Sequence, residues 1–400
     1  MRDMQPLNVI AVSEIFAEGQ RVTELHLHYH TKLADSSLSL ETFKVFPSPV
    51  RELYKKSEGA GDTIVLGLSR TDERLLTIHH TSTEDGERVE RSLPKISIQQ
   101  VEPIETIDGD VLFPDNITLS ISEERQLLAD NFSLNHFKGI TDTSFLDYSL
   151  YVPPSYDANK KSPLVVFIHD RGVCSTTHHL GVVQGLGGVV WLKEQPECFV
   201  LVPHFRRAIV NDEFAATDEL DSIKAIIDSI RVTYTIDPRR VYGTGQSMGC
   251  MALMEMGIRY PTMFAGLLLV AGQWDPSRID AVKDVPIWAL VAEDDSRAFK
   301  GMSSCMEALE TAGVEIIRSW WNGRDSLHQL EKQATSLSQE DASCYFTVFK
   351  GSSVVPESQC SDTTLPVMFA NHMATWKLVY QIRPLIHWLL SQKQEEGIQR

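Results

Sequence analysis

The rhythm of hydrophobic and polar positions changes near residue 125. Before it, short strand-like segments recur between turn-rich stretches, at 7–12, 21–30, 42–46, 63–68, 75–79, 95–101 and 116–121. Successive side chains of a strand point to opposite faces, so alternating segments at this spacing predict half-buried strands in a β-sandwich. Gly59-Ala60-Gly61-Asp62 and Thr83-Glu84-Asp85-Gly86-Glu87 read as loop tips. After residue 125 the apolar runs become continuous, as in 163–168 and 285–292, and alternate with helix-like stretches such as 218–234 and 303–312. Strands buried on both faces have this appearance, and their alternation with helices predicts a mainly parallel sheet. Two domains are expected, an all-β one over 1–125 and an α/β one over 126–400, in a chain longer than one core commonly fills.

Charge narrows the partners. Fifty-four Asp and Glu against 37 Lys and Arg give a formal charge of −17, which argues against nucleic acid or an anionic membrane, since both require clustered positive charge. No run approaches the roughly eighteen apolar residues that span a bilayer. The start lacks a signal-peptide apolar region, so a cytoplasmic location is expected, or a secreted one if a leader has been removed. Nothing in the sequence opposes a homo-oligomer.

The six cysteines are scattered without C-x-x-C spacing, the pattern of reduced thiols, although Cys344 and Cys360 flank a loop that a disulfide could close. Asn116-Ile117-Thr118 and Asn131-Phe132-Ser133 match the glycosylation acceptor. His26, His28 and His30 should share one strand face. Without a carboxylate or fourth ligand at fixed spacing they read as a polar face, and H-E-x-x-H is absent. No metal and no cofactor are expected.

The chemistry concentrates at Gly245-Gln246-Ser247-Met248-Gly249, which follows the strand-like Arg240-Val241-Tyr242 and opens the helix-like run 250–258. Strand, sharp turn and helix around G-x-S-x-G make a nucleophile elbow, in which a strained serine stands exposed and the glycines permit close approach. A serine hydroxyl needs a histidine base and a carboxylate to orient it, in the chain order Ser, Asp or Glu, His. The apolar run 285–292 ends in Glu293-Asp294-Asp295. Asp295 is the first choice of acid and Asp294 the second, against a plain helix cap. Of the histidines beyond it, His328 lies in an exposed helix-like stretch and His387 in the apolar final helix. His372 comes from an irregular segment, 365–371, before a helix expected over 375–390, and is the expected base.

These residues also carry a resemblance. Residues 149–154 and 163–169, the stretch Asp237-Pro238-Arg239-Arg240 through Gly249, and Asn371-His372-Met373-Ala374-Thr375-Trp376 resemble the α/β-hydrolase esterases grouped as predicted peptidases or polyhydroxybutyrate-depolymerase-like enzymes. Members often carry an immunoglobulin-like N-terminal domain. The resemblance covers about residues 130–400 well and the earlier part loosely. It implies an α/β hydrolase behind an immunoglobulin-like sandwich, with Ser247, Asp295 and His372 as nucleophile, acid and base. The expected activity is hydrolysis of a small-molecule carboxylic ester, and the alternatives are a peptidase, thioesterase or acyltransferase on the same triad, or a non-catalytic scaffold member.

One departure stands out. The family's usual His-Gly after the first parallel strand is His169-Asp170 here, so a carboxylate occupies a glycine position. The oxyanion donors should be the backbone N–H groups of Met248 and Arg171. Either Arg171 neutralises Asp170 or the oxyanion hole is altered. Around the mouth, Gln246, Trp274 and Trp376 are expected to contact substrate, and the glycine-rich stretch 181–188, which lacks a phosphate loop's Lys-Ser/Thr ending, reads as a flexible active-site loop.

Overall fold

The computed structural model describes residues 6–83, 86–115, 117–139, 145–177, 179–357 and 366–395. Asn116, Cys360, Leu365 and the Glu84-Asp85 loop tip fall outside the described residues. The chain divides into two compact units, one of residues up to 81 and 90–130, the other of 82–89 and 131 onward.

The described residues before 127 form eleven strands. They run β1 (Asn8–Phe16), β2 (Gly19–Tyr29), β3 (Phe43–Phe46), β4 (Glu52–Glu58), β5 (Gly61–Gly67), β6 (Ile78–Thr83) and β7 (Gly86–Arg91). Then follow β8 (Ser97–Gln100), β9 (Ile104–Glu105), β10 (Val111–Leu112) and β11 (Glu123–Gln126). Of these, β6 and β7 run into the stretch 82–89 that belongs to the second unit. One sheet has the order β11-β1-β2-β5-β4, and β3–β8, β9–β10 and β6–β7 form two-stranded ladders. Leu25, Leu27, Ile64 and Leu66 of the large sheet share a core with Phe43, Ile98, Ile104 and Leu112 of the small ladders. Two layers closing over one apolar core is the sandwich arrangement.

Several strands depart from the hydrophobic pattern: β7, β9 and β10 were not expected, the strand expected over 75–79 begins at Ile78 after a 3-10 turn, and both edge strands of the large sheet were missed. The stretch 117–121 is not a strand, apart from a bridge between Leu119 and Ile98. The strand lies instead at Glu123–Gln126, parallel to β1. The sequence Glu-Glu-Arg-Gln has no apolar rhythm because an edge strand needs only one paired side. The lysine-bearing β4, at the other edge, was equally silent. His26 donates to Glu24 at 2.7 Å and His28 shares a 2.7 Å hydrogen bond with Thr63, so both serve pairing within the sheet.

The second unit holds β12 (Phe132–Lys138), β13 (Phe145–Tyr151), β14 (Ser162–Ile168), β15 (Phe199–His204) and β16 (Ile236–Gln246). It continues with β17 (Gly266–Val270), β18 (Ile287–Ala292), β19 (Ile316–Trp321) and β20 (Cys344–Phe349). The sheet order is β12-β13-β15-β14-β16-β17-β18-β20-β19, antiparallel through β12, β13 and β15 and parallel thereafter. β14, β17 and β18 are buried almost throughout because helices cover both faces. After β15 the chain crosses to the far side of β14 to form β16. Such a reversal opens a crevice at the C-terminal strand ends, where ligands of open α/β sheets bind.

The helices are α1 (Leu180–Val183), α2 (Val190–Glu194), α3 (Glu219–Thr233), α4 (Met248–Arg259), α5 (Ser296–Thr311), α6 (Leu327–Leu337), α7 (Val367–Val379) and α8 (Arg383–Ser391). The single helix expected over 375–390 is therefore two, α7 and α8. Pro384 at the start of α8 cannot continue a helix past the Tyr380 carbonyl. The stretch 181–188 is also no loose loop. It forms α1 and a following 3-10 turn, and a Cβ at Gly187 would lie 2.4 Å from the Phe167 ring, so these glycines serve close packing on β14.

Candidate active site

Ser247 sits between β16 and α4 with φ 52° and ψ −118°, a strained conformation for a residue bearing a Cβ. The strain is held by its surroundings: the Ser247 N–H donates to the Val270 carbonyl at 3.0 Å. A Cβ at Gly249 would lie 1.9 Å from the Ile168 oxygen, and one at Gly245 would lie 2.7 Å from both that oxygen and the Gly249 carbon. Both glycines are thus required by backbone contacts that no side-chain rotation relieves. Gly249→Ala should destabilise the protein by more than about 3 kcal/mol, read from the urea midpoint, because overpacking here meets main chain. A loss below about 1 kcal/mol would show that β14 can move away.

His372 reaches the serine from a distant element. Its Nε2 lies 2.8 Å from Ser247 Oγ and its Nδ1 lies 2.5 Å from Asp295 Oδ2. It stands within α7, not in the irregular segment expected before a helix. Pro366 is the N-cap of α7, a position where a missing N–H costs no intrahelical hydrogen bond.

Asp295 is almost fully buried and divides its oxygens between two tasks. Oδ1 accepts from the Ala298 N–H at 3.3 Å as the cap of α5, while Oδ2 meets His372. The helix-cap reading and the reading as partner of histidine therefore both apply.

At the other side of Ser247 lie the ends of two helical turns. Met248 is the first residue of α4 and Arg171 the first of a 3-10 turn, Arg171–Val173. N–H groups in such positions have no partner within their own helix and are available to an anion. Register places Ile168 beside Gly245, and Cys174 Sγ lies 4.0 Å from Met248 Sδ, so the two turns adjoin. Burial pushes the Cys174 thiol up to about 12, which leaves it an unreactive neighbour.

The structure resolves how Asp170 fits a glycine position. Its φ of −74° needs no glycine. Its carboxylate accepts from the Gly172 N–H at 2.8 Å and from the Gln246 amide at 2.9 Å, rather than from the Arg171 guanidinium. His169, fully buried, is held below its ordinary pKa by burial; its Nδ1 donates to the Asp170 carbonyl at 2.7 Å and its Nε2 accepts weakly from the Phe205 N–H at 3.4 Å.

Two expected substrate contacts need correction. Gln246 is 2% exposed and spends its amide on Asp170, so it braces the turn after β14. Trp274 is fully buried, donates to Glu255 at 2.9 Å and packs edge-on against Phe214. Burial raises the Glu255 carboxyl, but hydrogen bonds from Arg259, Trp274 and Arg278 outweigh it and leave the carboxyl below its usual range. Trp274 is thus an anchor of α4. Trp376, half-buried one helical turn beyond His372, stands edge-on to the imidazole with centroids 5.0 Å apart. Ser352, which the sequence offered no reason to single out, donates to Asp294 in the turn that carries Asp295 and accepts from the Asn371 amide.

Residues 8–112 match the family described as the esterase Ig-like N-terminal domain. Poly(3-hydroxyalkanoate) depolymerase C of Paucimonas lemoignei is 30% identical over 142 residues, 33% of this chain and 32% of that protein. The chain spans about a third or less of the length of the curated relatives it matches. A solved structure described as a thermostable esterase superposes with a TM-score of 0.78 at 23% identity, covering 97% of this chain and all of that one. At that identity the likeness concerns fold. The chain therefore has an α/β-hydrolase fold preceded by an immunoglobulin-like domain of the esterase type.

Proposed function

We propose that the protein hydrolyses carboxylic esters of small molecules through an acyl-enzyme on Ser247. The observation that carries this reading is the unbroken chain from Ser247 Oγ through the two imidazole nitrogens of His372 to Asp295, at 2.8 and 2.5 Å, on a serine with a positive φ. As Oγ attacks the ester carbonyl, its proton passes to His372 Nε2, and Asp295 stabilises the imidazolium. The carbonyl π electrons move to oxygen, where the N–H groups of Met248 and Arg171 receive the charge. Collapse breaks the bond to the alcohol, which leaves with the proton from His372. Water then attacks the acyl-serine by the same route, releasing a carboxylic acid and restoring Ser247.

The names of the relatives favour an ester over other acyl compounds. Trp376 stands beside the imidazole that protonates the leaving alcohol, and supplies an apolar wall there. No helix among the described residues is long and apolar enough to cross a membrane. Reaction of the full chain with a small fluorophosphonate tests the reading directly. Mass spectrometry should find one adduct, on Ser247, formed in step with loss of p-nitrophenyl butyrate hydrolysis. A chain that hydrolyses the ester while Ser247 stays unlabelled would reject it.

A further inference from the structure

The turn after β18 holds three consecutive acids, and each reaches a different partner. Glu293 accepts from the Gly351 N–H at 2.8 Å, Asp294 from the Ser352 hydroxyl at 2.5 Å, and Asp295 pairs with His372. Ser352 Oγ in turn accepts from Asn371 Nδ2 at 2.9 Å, and the same amide donates to the Val367 carbonyl at 2.9 Å. Asn371 is fully buried and immediately precedes His372 in α7.

The direction of this chain is forced at both ends. A backbone carbonyl only accepts, so Nδ2 must face Val367; a carboxylate only accepts, so the Ser352 hydrogen must point to Asp294. Turning the amide over would set two acceptors against each other. Oδ1 of Asn371 is buried with no partner among the described residues, a cost the protein bears while the Nδ2 contacts stay in place.

We propose that Asp294, acting through Ser352 and Asn371, is a positioning residue that sets the roll of α7 and thereby the angle at which His372 meets Ser247. This rests on the triad reading above. Asp294 and Asp295 are neighbours, so one turn holds the acid directly and, through a hydroxyl and an amide, holds the helix that carries the base. A slight roll of α7 moves the imidazole sideways, and a displacement of about 1 Å in such a group can cost about a hundredfold in rate.

Ser352→Ala removes only the linking hydroxyl from a half-buried site, and Asp294→Ala removes the far acceptor. In each folded full-length variant, kcat for p-nitrophenyl butyrate should fall roughly ten- to a hundredfold with KM within about twofold. Fluorophosphonate labelling should slow in parallel, and the low-field proton of the His372–Asp295 hydrogen bond should broaden or vanish from the NMR spectrum. The double variant should be no slower than the worse single one, because both cut the same chain. Ser352→Thr, which keeps a hydroxyl, should recover rate and resonance. Normal kcat and an unchanged resonance in folded Ser352→Ala and Asp294→Ala, beside an inactive Asp295→Asn, would overturn the positioning role alone. Full turnover in Ser247→Ala or Asp295→Asn would instead remove the triad reading, and this proposal with it.

Discussion

Ser247→Ala is expected to lower kcat for p-nitrophenyl esters on the order of a million-fold while leaving the fold intact. The size follows from what is lost: without Oγ there is no acyl-enzyme, and only the oxyanion donors and substrate binding remain to act on water. The fold should survive because alanine keeps the Cβ that the elbow already accommodates at φ 52°, and because only the hydrogen bond to His372 disappears. Circular dichroism and the thermal midpoint check the fold, and turnover with several ester chain lengths checks the chemistry. Activity within about tenfold of the parent would mean that another group attacks the ester.

Asp295→Asn should cost about ten-thousand-fold in kcat. The carboxylate Oδ2 accepts from His372 Nδ1, which keeps Nε2 free of a proton and able to take one from Ser247. An asparagine presenting its NH2 group there would favour the opposite tautomer, with Nδ1 accepting and Nε2 already protonated. Asparagine remains a good helix cap, so α5 should keep its N-terminus and stability should change little. Asp294→Asn supplies a contrast. It retains an oxygen to accept from Ser352 and should stay within about tenfold of the parent. The reverse order of effects would move the acid to Asp294, and two mild effects would place it elsewhere in the chain.

Much of the second unit was legible in the sequence because its signals are local. Continuous apolar runs such as Leu164–Ile168 and Ile287–Ala292 announced strands covered on both faces. The elbow was readable because the demands on Gly245 and Gly249 arise from a turn of five residues and the strand beside it. The first unit was recognisable as a β-sandwich by its rhythm of short strands, its immunoglobulin-like character only through the resemblance, and β4 and β11 escaped because paired polar edge strands carry no apolar alternation.

By itself the sequence determined the change from short strands to alternating strands and helices, the class of fold, and a short set of side chains able to do acyl-transfer chemistry. Tertiary structure alone decided who meets whom. His372 finds partners 125 and 77 residues away, and Gln246 turns from the expected mouth to a carboxylate 76 residues distant. The burial of Trp274 is decided by Glu255 and Phe214, neither of them its neighbour in sequence. Residues a few positions apart share one backbone geometry, so their pattern reveals the element they form. Hydrogen-bond partners tens of residues apart are brought together only when sheet order and helix packing have set the distances, and no periodicity along the chain records those distances.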